Sequence, residues 1–370
     1  MKEFLRLSLK RFLFLLNIML ALYTLLVYQL SYSVSVKHWL GGFLTLSLPL
    51  AWVANILLIA IWSFRRSARA FISIGVLLAG FPLILRTFAW HSPSDDNSAK
   101  SISVLSYNLM WSDRERYDLS TGKSKAVNIM TTAVNIDADI KCVQELFNLN
   151  KGKEFSLIKK FREKNEHYTY VHSTPGNDEG QGAIGLAIFS KYPIVRKKEK
   201  HWSVNHNGLL SADIVVGKDT IRVINVQLKS MGVRVNKVLD AGEDKEKAKK
   251  EARTIYHQLR EGFNDRIIQM IELERWIKAS PYPIILVGDF NEVPYGYAYG
   301  RTRKYLNNAF EAKGRGFGFT YHYAPGFLRI DNQFFDDKYF EVKSFKTYSD
   351  KPYSDHYPIW AEYGFKQQPF

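Results

Sequence analysis

The sequence predicts an α/β domain carried behind three membrane-spanning helices. Three long apolar spans lie within residues 1–90 of the 370-residue chain. After residue 100, short apolar stretches of strand character alternate with helical patterns, and this order of elements is typical of an α/β fold. The chain has a single cysteine, Cys142, so the soluble domain must rely on its hydrophobic core and not on an intramolecular disulfide.

The first ninety residues predict the membrane anchor. Their apolar spans cover residues 12–30, 39–62 and 70–90, and each is close to the roughly 20 residues that cross a bilayer as a helix. A cleaved signal peptide is the alternative for the first span. Its apolar run exceeds the roughly 7–15 residues of a signal-peptide core, and two further spans follow, which favours a retained helix.

Positive charge around the spans predicts their orientation. Four Lys or Arg residues precede the first span and three arginines separate the second from the third, whereas one lysine lies between the first two. The positive-inside rule then puts the amino terminus and the loop at 65–69 in the cytoplasm, and the chain after Trp90 outside it. Residues 91–100 are polar and predict a linker to the soluble domain.

The soluble part is also basic. Residues 1–90 hold one acid, Glu3, against nine Lys and Arg residues, so a net charge of +7 out of the total of +15 remains for the rest of the chain. A basic domain fits a polyanionic partner or an anionic surface, although charge of this size also keeps proteins soluble.

Strand and helix patterns alternate through the soluble part. Apolar stretches that end in polar residues predict strands at 101–109, 139–146, 183–190, 220–228 and from 284 onward. Helical periodicity predicts helices at 123–136 and 252–280. The alternation sets the α/β class and leaves the strand order open. Cys142 lies in the second of these strands, so we predict that it packs in the core and does not act as a nucleophile.

The stretch IILVGDFNEVPYG at 284–296 predicts a buried strand that ends in polar groups. Side chains of a strand alternate between its faces, so Asp289 and Asn291 are expected to project the same way while Phe290 turns toward the core. An acid and an amide side by side suit a water molecule and a phosphate oxygen. They also suit a simple turn, since Asp and Asn favour turns for local reasons.

Similar polar groups end the other predicted strands or lie near the carboxyl terminus. They are Asn108, Glu145, Gln227, Asp331, Asp355 and His356. Each is weak alone, because a strand-end acid is commonly a solvated rim residue and an Asp-His pair can cap a turn. The combination is hard to obtain by chance, because it places in order an amide, a carboxylate, an acid–amide pair and an Asp-His pair.

In these motifs the chain resembles the endonuclease/exonuclease/phosphatase superfamily, which includes pancreatic-type deoxyribonuclease and sphingomyelinases. The resemblance covers roughly residues 101–364 and includes GLAIFSKYPI at 185–194, which is typical of bacterial members. It implies a four-layer α/β sandwich, in which two packed sheets are flanked by helices, with a catalytic domain over 101–370. The bacterial resemblance also implies a location in the inner membrane, with the catalytic domain in the periplasm.

The resemblance implies a role for each polar residue. Glu145 would be the principal ligand of Mg²⁺, for which Mn²⁺ could substitute, with Asn108 and Asp355 completing or neighbouring the site. Asp289 would orient and deprotonate the attacking water, and Asn291 would hold a phosphate oxygen. His356, kept in one tautomer by Asp331, would face the scissile phosphate.

Two departures from the family pattern affect the expected activity. Gln227 stands where many relatives have a histidine; glutamine can donate a hydrogen bond to a phosphate but cannot carry charge. Asn332 and Gln333 make the segment after Asp331 more polar than the apolar strand that relatives usually have.

The sequence therefore predicts a membrane-anchored, metal-dependent phosphoesterase that hydrolyses a phosphodiester outside the cytoplasm. Nucleic acid and phospholipid head groups are both open as substrates, the first because of the charge and the second because of the anchor. The alternative is a non-catalytic or weakly active module of the same fold that binds a polyanion, as the two departures would permit.

Overall fold

The structure of the protein is a computed structural model. It describes residues 2–33, 38–91, 100–116, 125–149, 155–163, 169–172, 182–202, 207–230, 245–323 and 326–366. Most of the predicted linker, residues 92–99, lies outside these ranges.

Five helices form the amino-terminal part: α1 (Lys2–Ser33), α2 (Trp39–Leu46), α3 (Leu48–Phe64), α4 (Ala70–Ala79) and α5 (Phe81–Thr87). Helix α1 alone is long and apolar enough to cross a membrane. The helices of the pair α2/α3 meet at a bend of 42° and those of α4/α5 at a bend of 59°. Each pair is long enough to cross a membrane only if its two helices together form one span. The third predicted span is helical to Thr87 and not to residue 90, because Ala89–Trp90 pair as a short strand with Arg315–Gly316.

Polar side chains hold these helices to one another. Asn17 on α1 accepts a hydrogen bond of 2.8 Å from Ser73 on α4, and Asn55 on α3 donates one of 3.1 Å to Thr24 on α1. Hydrogen bonds between small polar side chains are a common means of association between membrane helices. The outward faces of the bundle expose large apolar residues such as Leu22, as a lipid-facing surface would.

The remainder contains two six-stranded sheets. The strands are β1 (Ala89–Trp90), β2 (Ser101–Asn108), β3 (Ile140–Leu149), β4 (Thr169–His172), β5 (Gly182–Ser190), β6 (Ile194–His201), β7 (Gly208–Val216), β8 (Asp219–Gln227), β9 (Ile284–Asp289), β10 (Asn307–Asn308), β11 (Arg315–Gly316), β12 (Asp331–Phe335), β13 (Phe340–Thr347) and β14 (Ile359–Phe365). The first sheet has the order β13-β14-β2-β3-β5-β4 and the second the order β10-β12-β9-β8-β7-β6. The pairs β2/β3 and β8/β9 are parallel and the other neighbours are antiparallel.

The two sheets pack face to face, and helices cover their outer faces. The helices are α6 (Ala126–Asn135), α7 (Leu157–Glu163), α8 (Lys245–Lys278), α9 (Tyr297–Thr302) and α10 (Ala309–Lys313). The main core lies between the sheets and includes Val104, Ile140, Val223 and Val287. Helices α6 and α7 cover the first sheet, and α8 and α9 cover the second. The predicted four-layer sandwich is confirmed.

All five predicted strands are present, and seven further strands of the two large sheets were not predicted. The edge strand β6 has the sequence IVRKKEKH and is mostly exposed, so it lacks an apolar face that a pattern could detect. Strand β12 has the sequence DNQFF and is wholly buried despite its polar start. Gln333 bonds to the opposite sheet and Asn332 accepts from Arg329, and a local pattern cannot predict either partner.

Buried amides tie the sheets together. Gln333 on β12 donates hydrogen bonds of 3.1 Å to the carbonyl oxygens of Val104 on β2 and Ile359 on β14, and accepts one of 2.9 Å from the Tyr363 hydroxyl. Gln144 on β3 similarly donates to Asn225 on β8 at 2.7 Å. Such bonds depend on the offset between the sheets, so they fix which strand ends face each other.

The helices of the amino-terminal part contact the sandwich at one end of the bundle. The Ser31 hydroxyl at the end of α1 donates to the carbonyl oxygen of Tyr295 at 2.6 Å, and Lys304 donates to that of Ser33 at 3.0 Å. The ring of Trp39 on α2 meets that of Tyr256 on α8 edge to face, 5.4 Å between centroids. At the end of α5, the carbonyl oxygen of Arg86 accepts from Arg329.

Candidate active site

Glu145 lies at a bulge in β3. The register with β5 shifts between Val143 and Leu146, and Glu145 adopts a φ of 51°, in the left-handed region that a non-glycine residue rarely occupies. Bulges re-aim side chains, and strained backbone of this kind concentrates at functional sites. The bulge turns the half-buried carboxylate of Glu145 away from the α6 face and toward the second sheet, where it meets Gln227.

Asp289 ends β9, and Asn291 lies in the bend beyond it with a φ of 48°, so a local turn and not strand alternation brings the two side chains together. The backbone N–H of Asn291 donates to Asp289 Oδ1 at 2.8 Å and its side-chain amide donates to Asp289 Oδ2 at 3.0 Å. Phe290 is fully buried against the helix-covered face. Gly288 has a φ of 139°, and a Cβ there would overlap the carbonyl oxygen of Val226, so only glycine allows β8 and β9 this approach.

Asp331 and His356 form a buried pair. His356 Nδ1 lies 2.7 Å from Asp331 Oδ2, and His356 Nε2 lies 3.9 Å from Asp289 Oδ2. Asp331 opens β12 directly opposite Asp289 in the antiparallel register. The histidine therefore stands between two carboxylates, one of which holds its ring.

Asn108 joins the two sheets at the site. Its side-chain amide donates to Glu145 Oε1 at 3.3 Å and to Asp289 Oδ2 at 3.1 Å, while its Oδ1 accepts from the backbone of Met110. Ser354 donates at 2.7 Å to the backbone carbonyl of Asn108. One amide thus fixes the distance between carboxylates that lie on different sheets.

Gln227 donates a hydrogen bond of 2.6 Å to Glu145 Oε1 from the end of β8. Its backbone aligns with Asp289 in the parallel pair β8/β9. In the described part of the chain, Gln227 Oε1 is a buried acceptor with no hydrogen-bond partner. An unpartnered buried acceptor is uncommon and favours a site completed by a ligand or a water.

Asp355 lies at the rim and is half-exposed. It accepts from Ser354 at 3.2 Å, and its charge acts on both Glu145 and His356. The structure thus brings together all eight residues singled out in the sequence, and none lies elsewhere.

Burial and crowded acids shape the protonation of the site. Burial raises the pKa of Asp289 to about 8; the nearby His356 opposes this shift and Asp331 adds to it. Burial, and next the charge of Asp355, raises the pKa of Glu145. For His356, burial lowers the pKa but the carboxylates of Asp331 and Asp289 outweigh it, so the pKa rises well above its usual value.

Two groups of side chains could hold a cation. Asp289, Asp331 and His356 place ligand-capable atoms within 4.8 Å of one another, but the short contact of His356 with Asp331 already engages two of them. The charge of Asp355 helps to raise the pKa of Glu145, and a cation held by the two acids would relieve this repulsion. Mg²⁺ binds through one or two carboxylates and retained waters, so Glu145 and Asp355 fit it better. Asn108 presents its nitrogen to Glu145 and serves as a neighbour of that site.

Sequence reasoning missed several residues that support the site. Arg266 on α8 is buried and donates to the carbonyl oxygens of Lys229 and Asn291, which follow the ends of β8 and β9. The ring of Tyr321 lies edge to face with His356, 5.2 Å between centroids. Arg266 sits in a long amphipathic helix where no local pattern marks it.

The sequence model of a family described as "Endonuclease/Exonuclease/phosphatase family" matches residues 105–356, about two thirds of the chain. A second model, described only as a domain of unknown function, matches residues 10–87. No curated protein matches the chain.

Solved structures resemble the chain over its second part. They include a humanized D. rerio TDP2 (14% identity, 71% of this chain and 99% of that chain, TM-score 0.48). An endonuclease/exonuclease/phosphatase family protein from Bacteroides thetaiotaomicron is 20% identical over 73% of this chain and 96% of that chain, with a TM-score of 0.46. The human Nocturnin catalytic domain with bound sulfate is 14% identical over 72% of this chain and 95% of that chain, with a TM-score of 0.47. Similarities of this size carry no inference about function.

Proposed function

The chain belongs to the endonuclease/exonuclease/phosphatase family, and we propose that it is a membrane-anchored phosphodiesterase that uses a divalent cation and an activated water. The observation that carries the proposal is the hydrogen-bonded link from Glu145 through Asn108 to Asp289, with His356 Nε2 3.9 Å beyond. These residues come from four separate segments of the chain and from both sheets. A chain of bonds between buried acids and a histidine is costly unless it serves a function.

Glu145 and Asp355 would hold the cation, Mg²⁺ or Mn²⁺, with Asn108 beside it. When bound, the cation supplies positive charge that neutralises the phosphate and stabilises the leaving oxygen. Gln227 keeps one oxygen of Glu145 engaged at 2.6 Å, so the second oxygen of that carboxylate would be left to hold the ion.

Asp289 would orient the attacking water and accept its proton. Asn291 and Asn108 hold both carboxylate oxygens of Asp289, which fixes the direction of the group. A pKa of about 8 for Asp289 makes it a stronger base than a solvated carboxylate, close to the neutral range in which proton transfer is most effective.

His356 and Asn291 would contact the phosphate. His356 is protonated at neutral pH, since its pKa is raised by the surrounding acids, and Asp331 leaves only Nε2 to face the cleft. The cationic ring would offset the charge that develops on the phosphate oxygens. The Asn291 amide donates to Asp289 Oδ2 and to the carbonyl oxygen of Leu228, so it would donate to the same phosphate group by exchanging one of these bonds.

The anchor contacts support the predicted orientation. The ends of α1 and α5 and the start of α2 all touch the sandwich, as three crossings require. Arg69 lies at the other end of the bundle, with its guanidinium 4.4 Å from the Phe14 ring. We therefore propose that the catalytic domain lies outside the cytoplasm, in the periplasm if the cell has two membranes.

The binding-module alternative rested on Gln227 and on the polar segment after Asp331. Gln227 donates within the site, and Gln333 bonds across the sheets. Since both side chains have roles compatible with turnover, no observation in the described residues favours the alternative.

The test uses the full chain in detergent with the soluble diester bis(p-nitrophenyl) phosphate. We expect hydrolysis with Mg²⁺, its loss on chelation and its return when the ion is restored. Glu145→Gln should reduce the rate at least about a hundredfold, while Glu163→Gln on the exposed face of α7 should not change it. Equal rates for both variants would refute the proposed metal site.

A further inference from the structure

We propose that the active site draws its substrate from the surface of the membrane, so that the substrate is a phospholipid diester and not a nucleic acid. This inference rests on the proposed phosphodiesterase function and names its substrate class. It follows from where the anchor meets the site and from which side chains remain exposed there.

The strand that carries Asp289 leads directly into the anchor. Val293 follows Asp289 by four residues, and both Val293 and Tyr295 are buried in one apolar cluster with Tyr28 of α1 and Leu83 of α5. Tyr295 also meets Trp52 of α3 edge to face, 6.1 Å between ring centroids. One wall of the site is therefore continuous with the ends of the membrane helices.

The opposite wall reaches the anchor as well. Tyr321, which packs on His356, forms β-bridges with both His356 and Leu328. Leu328 in turn packs against the same apolar cluster of the anchor. The apolar cluster of the anchor thus lies four residues from Asp289 along the chain and is linked to His356 through Tyr321 and Leu328.

Aromatic side chains are exposed along this junction. Trp90, Phe317 and Phe327 are 70%, 48% and 61% exposed. Phe88, directly after α5, contacts both Trp90 and Phe317 at 5.3 and 4.9 Å between ring centroids, and Phe327 adjoins Leu328. Large aromatic rings at the end of membrane helices are typical of the layer between water and lipid tails. Their position indicates that the rim of the site lies in that layer.

The segment best suited to nucleic acid is not available to it. YGYAYGRTRKY at 295–305 mixes tyrosines with basic residues, but Arg301 is paired with Glu274 and Arg303 with Glu311. Tyr299 is fully buried, and Lys304 donates to α1. Binding of single strands needs exposed rings for stacking and free cations for phosphates, and this segment offers neither.

The reaction is hydrolysis of a diester with one water. The water oxygen bonds to phosphorus and the bond from phosphorus to one ester oxygen breaks. That oxygen leaves with one proton as an alcohol, either the head group or diacylglycerol, and the phosphate monoester keeps the other proton.

The test compares two substrates with the full chain reconstituted in vesicles of phosphatidylethanolamine and phosphatidylglycerol. One is the lipid of the vesicles, followed by release of phosphate monoester or head-group alcohol; the other is soluble bis(p-nitrophenyl) phosphate. We expect Phe327→Ser and Phe317→Ser to lower the ratio of lipid to soluble-ester hydrolysis about tenfold, because each variant loses an aromatic ring that would be buried in the lipid layer. Val195→Ser, equally exposed on β6 at 62%, should leave the ratio unchanged.

Each of the following results would overturn the inference. Faster hydrolysis of added DNA or RNA than of lipid would reassign the substrate. An unchanged ratio in both phenylalanine variants would remove the junction from lipid recognition, and so would an equal fall of the ratio in Val195→Ser. If soluble ester is cut in a Glu145-dependent way but lipid is not, this inference alone fails; if neither is cut, the proposed function fails with it.

Discussion

At the residue scale, Gln227 stands where the family resemblance implies a histidine. It lies 2.6 Å from Glu145 Oε1 and donates to it. A neutral histidine could donate the same bond, whereas an apolar side chain could not. The function left to this position is therefore donation to the carboxylate, and not charge.

We predict that Gln227→His keeps the hydrolysis of bis(p-nitrophenyl) phosphate within a few-fold of wild type, while Gln227→Leu lowers kcat/KM about tenfold, because loss of a donor to a charged group costs about 1.5–3 kcal/mol. Steady-state kinetics at fixed Mg²⁺ measure the difference. A Leu variant as active as wild type would show that the bond to Glu145 has no role in turnover.

The residues of the site were predictable to the extent that strand ends mark them. Asp289, Asn291 and Glu145 end or follow apolar runs, and a turn, which Asp and Asn favour, accounts for how the first two meet. The link through Asn108 depends on the offset of two sheets, and the support from Arg266 depends on how α8 packs. Neither has a signature in the nearby sequence, since both arise from contacts between distant segments.

At the scale of elements, β12 determines how the sheets face each other. Asn332 and Gln333 make it more polar than the apolar strand that the resemblance implies, yet it is a buried strand whose polar side chains have partners. Gln333 reaches two strands of the other sheet and also accepts from Tyr363. The polar strand thus aligns the edge that carries Asp331 with the edge that carries Asn108.

We predict that Gln333→Leu lowers the free energy of unfolding by about 2–4 kcal/mol, because two carbonyl oxygens and the Tyr363 hydroxyl lose their partner inside the core. Chemical denaturation of the full chain in detergent, followed by circular dichroism, measures this loss. An unfolding midpoint equal to that of wild type would mean that water or another side chain replaces these bonds.

Helix α2 of the anchor contacts α8, the helix that carries Arg266. A Cβ on Gly42 would overlap the ring of Phe263, and that ring lies 4.8 Å from the guanidinium of Arg266. Arg266 donates to the carbonyl oxygen of Asn291 at 3.1 Å. Contact with the anchor therefore reaches the site in three steps.

We predict that Gly42→Val lowers kcat/KM about tenfold or more, since displacement of catalytic groups by about 1 Å is enough for such a loss. Gly75→Val is the matched control, because Gly75 also lies in an anchor helix and a Cβ there meets nothing within 4 Å. Equal kinetics for the two variants would show that the contact between α2 and α8 does not affect catalysis.

At the scale of the whole molecule, anchor and sandwich share one apolar cluster, which contains Leu48 and Val76 from the helices and Val293 and Tyr295 from the domain. The sequence predicts both parts and their order. The sequence does not predict the contact between anchor and sandwich, because the apolar pattern of each part is explained by that part alone. The arrangement ties the side of the membrane on which the domain lies to the side on which α1 ends.

We predict that a membrane-impermeant thiol reagent labels Val195→Cys in intact spheroplasts and does not label Arg66→Cys until the membrane is opened. The native Cys142 is buried, so it gives little background. Labelling of Arg66→Cys in closed spheroplasts, with Val195→Cys protected, would reverse the orientation.

The central claim is that distant side chains act as one catalytic unit, and a double-mutant comparison tests it most directly. Rates of diester hydrolysis with Mg²⁺ are measured for Asp289→Asn, His356→Ala and the double variant. Groups that act together are non-additive, so each single variant should lose about 10³-fold or more and the double variant little beyond that. Wild-type rates in either single variant, or losses that multiply in the double variant, would contradict the claim.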